Sequence, residues 1–145
     1  MTKTTRRPLI LMAILVSAFL FGCGPKTPKA VPVRGKITLG GGAWPKPGTV
    51  NFTPVSTGDG TRPVSADFDA DGNFQTTSFT PGDGLLPGKY KISVTCWETP
   101  PSMANPKAAR SAVPVKYQNA ATSDLELPVE LGKPQTGLKL DVPRT

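Results

Sequence analysis

The stretch KYKISVTCW, residues 89–97, shows the clearest two-residue alternation in the chain. Apolar side chains occupy every second position, and mostly polar side chains occupy the positions between them. Successive side chains of a strand point to opposite faces, so this pattern predicts a strand with one buried face. The predicted buried face consists of Tyr90, Ile92, Val94 and Cys96.

Six further segments have the same alternation, and turns rich in glycine and proline separate them. They are VPVRGKITL (31–39), TVNFTPV (49–55), PVSADFD (63–69), NFQTTSF (73–79), LELPVEL (125–131) and TGLKLDV (136–142). Short alternating strands between such turns are typical of an all-β sandwich. In the last two segments the predicted inward residues are Leu125, Leu127, Val129, Leu131, Leu138, Leu140 and Val142. Pro128 falls on the outward side of its strand, which predicts an edge position because proline donates no hydrogen bond.

The N-terminus has the pattern of a secretion signal. Lys3, Arg6 and Arg7 precede a run without charges from Pro8 to Gly22. The apolar part is shorter than the roughly 20 residues that a membrane-spanning helix needs. A cleaved signal peptide, helical in the membrane and covering residues 1–22, is therefore the favoured interpretation.

The signal ends in LFGCG, which resembles the lipobox of bacterial lipoproteins around Cys23. That resemblance implies a diacylglyceryl group on the Cys23 thiol, cleavage before Cys23 and acylation of the new amine. Two or more acyl chains hold a protein stably on a membrane. Residues 23–30 then form a Pro- and Lys-rich spacer, and residues 31–145 form one domain outside the cytoplasm. An ordinary signal with an incidental cysteine, or an uncleaved signal anchor, is the alternative.

Composition narrows the chemistry that the domain can perform. Loss of residues 1–22 lowers the formal net charge from +7 to +4, and the remaining cations are scattered along the chain, which argues against nucleic-acid binding. The chain has no histidine, the commonest general base and transition-metal ligand. With Cys23 assigned to lipid, Cys96 has no intrachain partner and is expected in the core. We therefore expect a protein that is not an enzyme and has no resident cofactor.

The stretch SADFDADGNF, residues 65–74, permits two interpretations. Asp67, Asp69 and Asp71 alternate as they do at the start of a calcium-binding loop, but the twelfth position of such a loop is occupied by Ser78 instead of glutamate. A three-residue hairpin with Gly72 in a left-handed conformation instead pairs Phe68 with Phe74 on the buried face. The hairpin is the favoured interpretation, and a weak calcium site is the alternative.

Four segments in order resemble the carboxypeptidase regulatory-like, transthyretin-like β-sandwich found in small bacterial lipoproteins. They are VRGKITLGGGAWPKPGTVNFTPV, ADFDADGNF, PGDGLLPGKYKISV and VPVKYQNAATSDLELPVELGKPQTGLKLDV. The resemblance covers about residues 31–142. It implies about seven strands in two sheets, the prealbumin-like arrangement, and it implies no catalysis.

Aromatic and basic side chains supply candidate contact residues. Trp44 either covers the core or is an exposed contact residue, and Trp97 lies on the outward side beside a long basic loop, residues 98–117. The favoured interpretation is that Trp97 packs under this loop. In the alternative, Trp97 with Trp44 or Tyr117 would make a stacking surface for a sugar, and Lys107 and Arg110 would add charge. The expected function is a lipid-anchored binding or structural module whose partner is an envelope protein or polysaccharide. The alternative is a calcium-dependent adhesion or carbohydrate-binding module that uses the aspartate turn.

Overall fold

The structure, a computed structural model, describes residues 28–56 and 60–144, and in these ranges the regular elements are strands and short 3₁₀ turns. The strands are β1 (Val33–Leu39), β2 (Gly48–Pro54), β3 (Val64–Phe68), β4 (Asn73–Gln75), β5 (Gly88–Thr95), β6 (Trp97–Thr99), β7 (Arg110–Ser111), β8 (Glu126–Val129) and β9 (Gln135–Val142). The 3₁₀ turns are Pro106–Ala108 and Val115–Tyr117. The all-β class predicted from the sequence is confirmed.

Seven strands form one curled, mixed sheet in the order β8-β5-β2-β3-β4-β1-β9. Neighbouring strands are antiparallel except β1 and β9, which run parallel. Strands β6 and β7 pair with each other as a separate two-stranded ribbon. The seven strands form one continuous hydrogen-bonded sheet. Because this sheet is curled, its apolar face is enclosed and forms the core.

The core contains the side chains that the alternation predicted. The strands with the strongest alternation bury Val50, Phe52, Tyr90, Ile92 and Val94 completely. The core also takes in Val31, Val33, Ile37, Leu39, Val64, Ala66, Phe68, Phe74, Cys96, Leu127, Val129 and Val142. Burial of this many large apolar side chains supplies the main driving force for folding.

The last two predicted strands are correct in position and partly wrong in burial. Pro128 lies on β8 at the edge of the sheet, as expected. Leu131, however, is 63% exposed. Strand β8 ends at Val129, and the Lys133 N–H then donates to the Glu130 carbonyl across a turn with left-handed Gly132. The turn removes Leu131 from the strand alternation and places it in solvent.

The long basic loop is more ordered than its sequence indicates. Trp97 pairs with Ser111 and Thr99 with Arg110, so the start of the loop and an interior segment of it form the β6–β7 ribbon. The Ala112 N–H also donates to the Cys96 carbonyl at 2.9 Å, which ties the ribbon to the end of β5. The predicted signal peptide, Cys23 and most of the spacer lie outside the described residues.

Candidate functional site

Cys96 belongs to the core and not to a reactive site. Its side chain is 1% exposed, and the Sγ–H donates to the Lys46 carbonyl at 3.3 Å. Burial raises the pKa of the Cys96 thiol, so little thiolate forms near neutral pH. The prediction that Cys96 packs as a small apolar residue is confirmed.

The aspartate stretch forms the predicted hairpin turn. Phe68 lies opposite Phe74 across β3 and β4. The Asp69 N–H donates to the Asn73 carbonyl, and the Gly72 N–H donates to the Asp69 carbonyl at 2.9 Å. Gly72 has a φ of 86°, the left-handed conformation that the three-residue hairpin requires.

The carboxylates of this stretch point to separate partners. Asp67 Oδ1 accepts from the Thr49 hydroxyl at 2.9 Å. Asp69 accepts from the side-chain amide and the backbone N–H of Asn73, and these hydrogen bonds lower the pKa of Asp69. Within residues 28–56 and 60–144, no three acidic, cysteine or histidine side chains are grouped to hold a metal ion. The structure therefore does not assemble Asp67, Asp69 and Asp71 into a set of ligands.

Trp44 covers the core and is not an exposed contact residue. Its side chain is 4% exposed, its Nε1–H donates to the Ile37 carbonyl at 3.0 Å, and its ring centroid lies 4.9 Å from that of Phe68. Of the two roles considered for Trp44, the core role is confirmed. The contact role is wrong because both the ring and the indole N–H are engaged inside the domain.

The sugar-stacking surface predicted around Trp97 is not formed. Tyr117 is 2% exposed and packs into the core from the second 3₁₀ turn, so it offers no ring face to a ligand. With Trp44 also buried, Trp97 has neither proposed aromatic partner at the surface and is itself half-buried. Lys107 and Arg110 are exposed on and beside the ribbon, as their proposed contact role requires.

A set of three cations, which the sequence analysis did not single out, lies on the outer surface of the sheet. Arg34 and Lys36 lie on β1 between the buried Val33 and Ile37, and Lys139 lies directly beside Lys36 on β9. All three side chains are exposed. We call this outer surface of β4, β1 and β9 the cationic face.

The cationic face carries two adjoining grooves. The larger groove, about 360 Å³, is lined by all three cations together with Asn73 and Thr136. The smaller groove, about 170 Å³, is lined by Lys36, Lys139, Thr38, Leu140 and Asp141. Lys36 and Lys139 therefore border both grooves.

The cations of this face differ from most other lysines of the domain in lacking a partner. Arg34, Lys36 and Lys139 form no ion pair or side-chain hydrogen bond within the part of the chain that the structure describes. Elsewhere four lysines are paired with carboxylates. These pairs are Lys89 and Lys91 with Glu126, Lys116 with Asp124, and Lys133 with Glu130.

A cleft of about 590 Å³ opens between the β1–β2 loop and the β6–β7 ribbon. Glu98 and Arg144 line it, and the Arg144 Nε–H donates to the Leu39 carbonyl at 3.2 Å. The buried rings and methyl groups of Trp44 and Val113 form part of its floor. The cleft therefore has the Glu98 carboxylate and the Arg144 guanidinium in its lining, together with an apolar surface.

Comparisons with family models, with curated proteins and with solved structures give no match to this chain. In the described ranges, the structure contains no helix with the length and apolar character needed to cross a membrane.

Proposed function

We propose that the protein is a lipid-anchored domain of a bacterial cell envelope that binds a partner without catalysing a reaction. The observation that carries the proposal is the N-terminal pattern. Three cations precede an uncharged run that ends in Gly22 and Cys23, where a lipoprotein is cleaved and acylated. A diacylglyceryl group and an amide-linked chain on Cys23 would anchor the domain stably.

The start of the domain supports a short tether. Val31 is buried, and its backbone exchanges two hydrogen bonds with Leu85, at 2.7 and 2.9 Å. Val31 lies eight residues after Cys23. An extended spacer of that length spans about 25 Å, at ~3.1 Å per residue. Such an anchor would hold the domain within reach of the envelope polymers and proteins that surround the membrane.

We further propose that the all-β fold is a transthyretin-like sandwich, in which the parallel pair β1 and β9 lies at one edge of the sheet. Two features support it. The segment Pro87-Gly88-Lys89-Tyr90 begins a central strand, and the aspartate hairpin joins β3 to β4. Both features stand in the order that the resemblance implies.

The carboxylates of Asp83 and Asp141 hold turns in place, which favours a binding function over catalysis. The Asp83 carboxylate accepts from the backbone N–H groups of Ser78, Phe79 and Thr80 at 2.7 to 3.0 Å, and so it closes a turn. Asp141 in the same way accepts from the Gly41 N–H. These carboxylates maintain loops, whereas the exposed cations of the sheet remain available to a partner.

Cell fractionation tests the anchor. The full chain expressed in a bacterial host is expected in the membrane fraction, extractable with detergent but not with high salt. Cys23→Ser should move it to the soluble extracytoplasmic fraction or leave the uncleaved precursor. Cys96→Ala, which removes the other cysteine, is the matched control and should leave the distribution unchanged. A Cys23→Ser chain that is cleaved to the same length as the unmodified protein and still remains in the membrane fraction would refute the proposed anchor.

A further inference from the structure

The positions of the cations on the cationic face are fixed by strand pairing. Arg34 and Lys36 are two residues apart on β1, and Lys139 is the direct neighbour of Lys36 on parallel β9. Residues two apart on a strand lie about 7 Å apart, and neighbouring strands about 4.8 Å apart. The bases of the three side chains are therefore held in a fixed triangle on a rigid sheet.

This arrangement is electrostatically unfavourable in the free protein. Like charges directly opposite each other on adjacent strands destabilise a sheet. The Asp141 carboxylate, which accepts from Thr38 and Gly41 and lines the smaller groove, offsets part of this repulsion but forms no ion pair with Lys36 or Lys139. An anionic ligand would remove the repulsion and gain charge-assisted hydrogen bonds from both lysines.

The grooves add uncharged hydrogen-bonding groups to the cations. Gly35 and Gly137 bring no side chains to the floor of the larger groove, and Asn73 and Thr136 stand at its sides. A Cβ at Gly35 would come within 2.0 Å of the Leu138 carbonyl, so the close approach of β1 and β9 depends on glycine. The face thus combines cations with amide and hydroxyl groups on an open, narrow surface.

We propose that the cationic face binds a linear, carboxylate-bearing polysaccharide, an acidic polymer of the uronic-acid class. Carboxylates of successive sugars would lie over Arg34, Lys36 and Lys139, and sugar hydroxyls would bond to Asn73, Thr38 and Thr136. This inference rests on the proposed function, because the anchor holds the domain where such polymers occur. It adds the surface and the class of partner.

Other anionic partners suit this face less well. A single-stranded nucleic acid is bound with aromatic side chains on which bases stack, and neither groove is lined by an exposed aromatic ring. A membrane surface is bound stably when apolar side chains insert beside the charges. The large exposed apolar side chains of the described residues, Val55, Phe79, Met103, Val115 and Leu131, line neither groove.

The test compares two double variants of the full chain, purified in a non-ionic detergent and immobilised on a biosensor. Lys36→Gln with Lys139→Gln removes two unpaired lysines, whereas Lys116→Gln with Lys133→Gln removes two salt-bridged lysines. Both lower the net charge equally. We expect the first pair to weaken binding of polygalacturonate roughly tenfold and the second to change it less than about twofold. Binding should decrease steeply as salt increases, and neutral dextran should not bind.

The melting temperature separates binding from folding. Because it removes a like-charge contact, Lys36→Gln with Lys139→Gln should melt at the same temperature as the unmodified protein or at a higher one. Equal loss of polygalacturonate binding in the two double variants, or absence of binding, would overturn the proposal. Stronger binding of an oligodeoxynucleotide than of polygalacturonate would also overturn it, as would a loss of binding to phosphatidylglycerol vesicles in Lys36→Gln with Lys139→Gln that exceeds the loss of polygalacturonate binding. None of these outcomes depends on fractionation of Cys23→Ser, so the anchor and the binding surface succeed or fail separately.

Discussion

At the scale of single residues, Gly72 determines how the aspartate hairpin meets the sheet. Its left-handed φ of 86° is one requirement, and its contact with β1 is another, because the Ile37 N–H donates to the Gly72 carbonyl at 2.8 Å. A Cβ at Gly72 would come within 1.9 Å of the Ile37 carbonyl oxygen. Both the turn and the close approach of the two backbones therefore require glycine.

Gly132 provides a matched comparison for Gly72, since its φ is 78° and no atom lies within 4 Å of a Cβ built there. Gly132→Ala should cost only the left-handed strain of alanine, about 1 kcal/mol. Gly72→Ala should cost about 3 kcal/mol, because the overlap with Ile37 adds to that strain. Urea unfolding of both variants measures the difference. Equal costs would show that the close approach of the hairpin to β1 does not constrain Gly72.

Asp83 should make stability depend on acid pH. Burial tends to raise the pKa of Asp83, but hydrogen bonds from the Ser78, Thr80 and Phe79 N–H groups outweigh burial and lower the pKa below 3.8. A lowered folded-state pKa gives stability that is present above the unfolded-state pKa and lost as pH falls through the folded-state pKa. At neutral pH, Asp83→Asn should cost about 1 kcal/mol.

The difference in unfolding free energy between the unmodified protein and Asp83→Asn should narrow as pH falls below 3.8. Other carboxylates titrate equally in both proteins, so the comparison isolates Asp83. Urea unfolding across this pH range gives the measurement. A difference that stays constant with pH would mean that the Asp83 charge does not stabilise the turn.

The hydrogen bonds of the aspartate hairpin predict that calcium leaves the melting temperature unchanged. Because Asp67 and Asp69 accept hydrogen bonds from Thr49 and Asn73, calcium would have to displace these partners to bind. We expect the same melting temperature with calcium as with a chelator. A ligand that binds the folded state raises that temperature. A melting temperature that calcium raises in the unmodified protein, but not in the double variant Asp69→Asn with Asp71→Asn, would instead establish a metal site.

At the scale of elements, alternation was sufficient to find all seven strands of the main sheet, because each has one face in the core and one in solvent. The β6–β7 ribbon was missed, since β7 has two residues and pairs outside that sheet. Leu131 was placed wrongly because alternation does not show where a strand ends. The turn residues Glu130 to Lys133 give the only signal for that boundary.

The candidate site was less predictable than the fold. Arg34 and Lys36 are visible as alternate cations in VRGKITL, and Lys139 is visible in GLKLDV. These three side chains lie close together only because β1 pairs in parallel with β9, which joins residues about a hundred positions apart in the sequence. Local sequence patterns carry no information on that register. For the same reason the burial of Tyr117 followed only from the assembled core, whereas a core position was one of the two roles predicted for Trp44.

The uneven packing of the elements predicts uneven hydrogen exchange. Strands β2 and β5 lie side by side within the sheet and contribute the fully buried Val50, Phe52, Tyr90, Ile92 and Val94. No side chain of β6 or β7 is fully buried, and these two strands pair with each other and not with the strands of the main sheet. Amides of β2 and β5 should exchange slowest, at the rate of global unfolding, and those of the ribbon much faster. Equal protection in the ribbon and in β5 would contradict this picture.

At the scale of the whole molecule, the proposed lipid anchor, a short spacer and a sheet with one cationic outer face follow one another along the chain. The spacer enters the sheet at β1, the strand that carries Arg34 and Lys36. The proposed attachment point and the proposed binding surface are therefore consecutive along the chain. A domain held in this way would retain an acidic polymer close to the membrane while its core and turns maintain the surface.

The most direct test of this account is the intact mass of the protein extracted from the membranes of a bacterial host. The account predicts a chain that begins at Cys23, heavier than residues 23–145 by a diacylglyceryl group and, where the host acylates the amine, by one further acyl chain. The added mass should be absent from Cys23→Ser. A mass that matches the full, unmodified chain, or a chain cleaved elsewhere without lipid, would contradict the central claim of a lipid-anchored domain.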